Sequence, residues 1–225
     1  MGSLLAAALA FVGIHVFISG TGLRQRIVGR IGERGFRALF SVLSAVAIVW
    51  LCRAYADAEY VELWGTVDTL RPAALVAMFL AFLLASTGLT TPNPTAVGGD
   101  QALDQPVRGI LRITRHPFLW GVALWAATHL LMNGDVASVI FFGSFLLLAL
   151  IGPLSIDAKR RQRFGTGWDR FAALTSNVPF GAVLAGRNSI RVGELGWWRV
   201  ALGAGLYVGF LVIHAALFGA SALSR

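Results

Sequence analysis

The chain has 225 residues, 56% of them apolar, only 13% charged, and a mean hydropathy of +0.71. A soluble domain carries about 25% charged residues, so this composition excludes an ordinary soluble globular protein and points to the membrane class. The net charge of +8 does not indicate a nucleic-acid partner, because the basic residues sit beside apolar runs, where they set topology and meet anionic headgroups.

A spanning helix needs roughly 20 mostly apolar residues. Six such segments are predicted, at 2–21, 36–55, 71–90, 117–133, 136–156 and 198–220. The first lacks a basic leader and a small-residue cleavage site, so it is expected to be a retained helix rather than a signal peptide. The loop 56–70 is short and acidic. The loop 91–116 opens with TTPNPTAVGGDQ, whose Pro, Asn and Gly content predicts irregular structure. The fourth segment is short and meets the fifth at Asn133-Gly134-Asp135, a tight turn. Beyond the fifth, 157–175 carries a basic face and then Phe164, Trp168, Phe171 and Leu174 at helical spacing. That pattern predicts a helix on or near the membrane surface. The Gly-rich stretch 180–197 is expected to be a loop. Neither an alternating strand pattern nor a repeat of about 20 to 50 residues is present. The expected architecture is an all-α, polytopic helical membrane bundle with about six transmembrane helices, a single domain over 1–225.

Charge sets the orientation. The first loop carries Arg24, Arg26, Arg30, Arg34 and Arg37, the third Arg108, Arg112 and Arg115, and the fifth most of the remaining basic residues. The opposite side has Arg53, Arg71 and Arg225 among Asp57, Glu59, Glu62, Asp68 and Asp135. The positive-inside rule then predicts an N-out, C-out protein of the inner, cytoplasmic membrane, multi-pass and bathed in membrane lipid. The lone Cys52 excludes an internal disulfide and a Cys-rich metal site.

Three of the four histidines, His15, His129 and His214, interrupt apolar runs, where an ionisable group is costly. Neutral imidazole is a common ligand for transition metals and haem iron. The plainer reading is a core histidine hydrogen-bonded to a neighbouring helix. Measured along a helix, His15 lies about 13 Å from Arg24 and His129 about 21 Å from Arg115. His214 lies fifteen residues from Arg199, so depth alone pairs His129 with His214. His116 precedes Pro117, which favours a first helical turn, and is expected to be a cap or headgroup contact at the cytoplasmic interface. Cys52 reads as a small hydrophobe, with thiolate ligation the less favoured alternative. Arg53 and Arg71, at outer helix ends, could pair with haem propionates or with nearby surface carboxylates. Trp120 and Trp125 could flank a porphyrin or a polyene, or simply pack.

Two segments resemble a known family. GIHVFISGTGLRQRIVGRIGERGFRALFSVLSAVAIVWLCRAY and RITRHPFLWGVALWAATHLLMNGDVASVIFFGSF look like the N-terminal and central signatures of NnrU proteins. That family also includes the plastid 15-cis-zeta-carotene isomerase, an integral membrane enzyme that uses haem b. The resemblance implies haem b held by His15 and His129; depth keeps His214 as the alternative ligand, and Arg53 and Arg71 remain candidates for the propionates by position. It implies redox-linked cis–trans isomerisation of an apolar polyene, with an electron donor as a further partner. A non-catalytic haem protein of nitrite or nitric oxide metabolism is the alternative within the family. Arg115-His116-Pro117, Asp157 and RFGTGWDRFAALTSNVPF also resemble isoprenylcysteine carboxyl methyltransferases, which use S-adenosylmethionine. Here Asp157 is followed by Ala158 and Lys159, so the acidic pair of those enzymes is missing.

Overall fold

The computed structural model describes residues 1–19 and 21–223; Arg225 and the end of the first predicted span, at Gly20, lie outside the described residues. The helices are α1 (Gly2–Gly13), α2 (Leu23–Ala56), α3 (Arg71–Thr90), α4 (Pro117–Asn133), α5 (Val136–Phe164), α6 (Thr166–Leu174), α7 (Gly181–Leu184) and α8 (Trp197–Phe218). A π-turn, Ile14–Ser19, follows α1 directly. Each of the six predicted spans is thus helical over most of its described residues. Four helical stretches, Leu23–Ala56, Asp68–Thr90, Val136–Phe164 and Trp197–Phe218, are long and apolar enough to cross a membrane; Gly2–Ile18 is apolar and shorter. No strand occurs among the described residues, only an isolated bridge between Glu62 and Asp135.

The chain divides into two compact units, Met1–Arg71 with Ala126–Leu148, and Pro72–Trp125 with Ala149–Arg225. In the first unit α1 buries Leu4, Ala7, Ala8 and Phe11, the single stripe that a 3.6-residue period presents to a neighbour. The α4–α5 connection is the predicted tight turn, and its residues explain it. Gly134 adopts φ 64, and a Cβ there would meet the Gly65 carbonyl oxygen at 2.1 Å, so only glycine fits. The amides of Leu63, Trp64 and Gly65 all donate to the Gly134 carbonyl, at 2.9, 3.0 and 3.2 Å. Asp135 then caps α5, its carboxylate accepting from the Ser138 amide at 2.9 Å.

In the second unit small residues let helices touch. A Cβ on Gly121 of α4 would lie 2.8 Å from the Ala81 carbonyl oxygen of α3, and one on Gly203 of α8 would lie 2.4 Å from Ser86 Oγ. Close backbone approach of this kind is how helices associate where no hydrophobic effect drives them. Along α8 only Gly203 is buried, while Val208, Val212, Ile213 and Leu217 are exposed. Apolar surface on that scale calls for a hydrocarbon or protein partner.

The segment after α5 differs in detail from expectation. Gly165 at φ 51 breaks the helix, and α6 buries Trp168 and Phe171 against Ile110 and Leu111. Trp168 and Phe171 of its apolar stripe thus pack on the 103–113 loop, which supplies Leu103, Val107 and Ile113 as partners, while Leu174 stays exposed.

Candidate functional site

His15 sits in the π-turn, a feature that adds one residue to a helical turn and re-aims the side chains it carries. Its Nδ1 lies 2.8 Å from the Phe11 carbonyl oxygen. A carbonyl only accepts, so Nδ1 carries the proton and Nε2 the lone pair. A second hydrogen bond of this type is what orients and fixes the tautomer of a metal-ligating histidine. The ring packs on Phe11 and edge-on against Phe40 of α2, with centroids 4.7 and 5.2 Å away.

His129 stacks on Phe142, with centroids 4.8 Å apart and planes 20° from parallel. Both histidines belong to the first unit, and a continuous train of rings joins them. Phe11 meets Phe145, Phe145 meets Phe141, and Phe141 meets Phe142, at centroid distances of 4.9, 5.3 and 4.9 Å. Tyr55 stacks on Phe141 and exchanges a 2.8 Å hydrogen bond with Ser138 Oγ. Among the described residues, no three His, Cys, Asp or Glu side chains converge as a metal cluster. His15 and His129 are the imidazoles of this unit, and imidazole is a ligand type that haem iron accepts. One orphan supports an occupant nearby: Ser44 Oγ, one turn beyond Phe40 on α2, is buried without a hydrogen-bond partner.

The other sequence candidates separate. His214 lies in the second unit, its Nδ1 donating to the Ala220 carbonyl at 2.7 Å, beside Phe218. Arg71 pairs with Asp68 at 2.9 Å, the surface pairing weighed as the alternative to a propionate. Arg53 and Cys52 are exposed. Trp120 donates to the Asn177 carbonyl at 2.8 Å. Trp125 lines an apolar groove with Met78, Ala81, Phe82, Ala85, Gly121 and Val122.

His116 keeps the cap half of its sequence reading, preceding Pro117 with its carbonyl accepting from the Trp120 amide at 3.0 Å, and loses the headgroup half. It is 2% exposed, no headgroup contact, and its Nε2 lies 2.7 Å from Asp157 Oδ1. The other carboxylate oxygen accepts from Arg115 Nε and Nη2, at 2.9 and 2.5 Å. The Arg115 guanidinium lies 5.8 Å over the Trp168 ring, and the Arg115 carbonyl accepts from Asn93 and Thr95, both at 2.9 Å. Asp157 therefore ties the start of α4 to α5, with α6 alongside. The sequence held one signal for this: a carboxylate inside an apolar helix requires a cationic partner.

Fold and site together define an all-helical protein of long apolar helices with imidazoles and one ion-paired cluster set among them. The chain belongs to the NnrU family, whose model, described as NnrU protein, matches residues 3–222. It is 28% identical over 199 residues to the chloroplastic 15-cis-zeta-carotene isomerase of Arabidopsis thaliana, covering 83% of this chain and 53% of that protein. It is 24% identical over 191 residues to the enzyme of the same name from Zea mays, covering 83% and 52%. The chain thus spans about half the length of the curated relatives it matches. No solved structure matches it.

Proposed function

We propose that this chain is a six-span, N-out and C-out protein of the inner membrane that binds haem b between His15 and His129 and isomerises a cis double bond of an apolar polyene. The observation that carries the proposal is the similarity to 15-cis-zeta-carotene isomerases over 83% of the chain, joined to the fixed tautomer of His15. Bound haem would supply a redox-switchable iron able to perturb a conjugated double bond. The chain's own residues do the rest. The Phe11 carbonyl holds the His15 proton on Nδ1 and directs Nε2 to the ligand role, while Phe142 restrains the His129 ring. Phe40, Phe141 and Phe145 give apolar walls that exclude water and suit a hydrocarbon substrate arriving from the bilayer. An electron donor would be the further partner of this reading.

The test is a pyridine haemochrome spectrum of purified protein, followed by addition of 15-cis-zeta-carotene to the reduced sample. Wild type is expected to show a b-type Soret band and to convert the 15-cis double bond to trans. His15→Ala and His129→Ala lose the band; His214→Ala and Cys52→Ser keep it. Haem without product formation would replace catalysis by electron transfer or nitric oxide handling. A wild-type protein without haem would overturn the reading outright.

A further inference from the structure

The run Leu23–Ala56 is two helices joined at Gly32, whose φ of 74 and ψ of 168 are not helical. The chain changes direction there, and an ion pair records the change. Arg24 Nη2 donates to both Glu33 oxygens, at 2.7 and 2.8 Å. On a straight helix residues nine apart lie on opposite faces and about 13 Å from each other along the axis, so this pair forms only across a bend. Arg37 adds a second contact to Glu33 at 3.1 Å, and the Arg24 guanidinium rests 5.1 Å over Phe36. Glu33 is the one carboxylate in the α2 range, and it is fully engaged.

The segment before the bend has an amphipathic layout. Leu23, Ile27 and Ile31 recur at four-residue spacing and make one apolar stripe, with Leu23 and Ile31 exposed. Arg26 and Arg30 follow the same spacing along the stripe's edge, and Arg34 lies just past the bend; all three are exposed, and none pairs with a carboxylate among the described residues. Gln25 and Gly29 occupy the far side. Arginines bordering an apolar stripe are placed to lay their stems on acyl chains and raise their guanidinium groups to phosphate level.

We propose that Leu23–Ile31 is an in-plane helix that docks on the anionic phospholipid headgroups of the cytoplasmic leaflet, gripping phosphodiesters with Arg26, Arg30 and Arg34. The Arg24–Glu33 clasp sets the angle between this helix and the rest of α2, and it removes Arg24 from the lipid-binding set. The inference rests on the membrane placement proposed above and is independent of haem.

The experiment uses the full chain reconstituted in phosphatidylcholine vesicles with trace spin-labelled phosphatidylglycerol or phosphatidylcholine, read by the motionally restricted fraction. Wild type is expected to prefer phosphatidylglycerol by about threefold or more, with the preference falling at high salt. Arg26→Gln/Arg30→Gln/Arg34→Gln is expected to bring the ratio near one while still floating with the vesicles; Arg108→Gln, outside the segment, leaves it high. Equal ratios in wild type and triple variant overturn the proposal. So does a preference abolished by inorganic phosphate at constant ionic strength, which would assign the arginines to a free anion. Protein that fails to float with vesicles overturns this proposal and the membrane placement together, whereas absence of haem leaves it standing.

Discussion

A histidine among apolar residues is tolerated when its ring nitrogens are engaged, and His15 and His214 meet that demand alike, each donating from Nδ1 to a carbonyl within its own segment. Depth, the one ruler that sequence offered, had set His15 apart from His129. That ruler assumed a straight helix from His15 to Arg24. The π-turn at Ile14–Ser19 and the fresh start of α2 at Leu23 remove the assumption, since Arg24 belongs to a separate helix. A single extra residue in a turn and a positive φ at one glycine have no periodic signature, which is why neither was legible. Glu194 shows a residue-scale effect outside the helices. Arg112 donates to it at 2.7 and 3.2 Å and the Gly109 amide at 3.1 Å, and these bonds hold its carboxyl down at about 2. The depressed value means the ionised carboxylate favours the docked loop. That contribution is whole above the ordinary carboxyl value of 4.5 and is lost as pH falls toward 2. Hydrogen exchange at the Gly109 amide, corrected for intrinsic rate, is expected to lose protection across that window in wild type and to be flat with pH in Glu194→Gln. Protection that survives unchanged to pH 2 would refute the assignment.

Helices were the most legible level, because runs of about 20 apolar residues bounded by arginines, prolines and glycines leave little else to form. Pro117 opens α4 and Gly134 closes it, as their φ preferences dictate. Contacts between elements were less legible. The stripe on α6 was visible, but its partner was not, since burial against a protein loop and against lipid produce the same spacing. The headgroup alternative for His116 fell for a related reason: an Arg-His-Pro run at a helix start looks the same whether it faces headgroups or a carboxylate 41 residues away. The consequence is testable. Asp157→Asn would leave Arg115, 14% exposed, without its counter-charge, at a cost on the order of 3 kcal/mol. Thermal unfolding in detergent should show a Tm lower by several degrees for Asp157→Asn and for His116→Ala, with haem content per folded protein unchanged. A wild-type Tm in Asp157→Asn would show that the cluster is not structural.

For the whole molecule, composition and charge carry the topology, and side-chain chemistry carries the function. Most basic residues fall in loops 22–35, 91–116 and 157–197, so reporter fusions are expected to fluoresce as GFP when placed there and to be active as alkaline phosphatase after residues 60 and 134. A single loop with the opposite signal would break the proposed six-span, N-out and C-out arrangement. The site is the part that sequence alone left undecided, because three imidazoles in three apolar helices admit more than one pair. The proposal takes His15 and His129 because they share one compact unit, while His214 lies in the other. The most direct measurement is haem content of purified wild type beside His15→Ala, His129→Ala and His116→Ala, read from the Soret band of equally folded samples. A band present in wild type and His116→Ala and absent from the other two is the predicted result. A band retained in both His15→Ala and His129→Ala would contradict it.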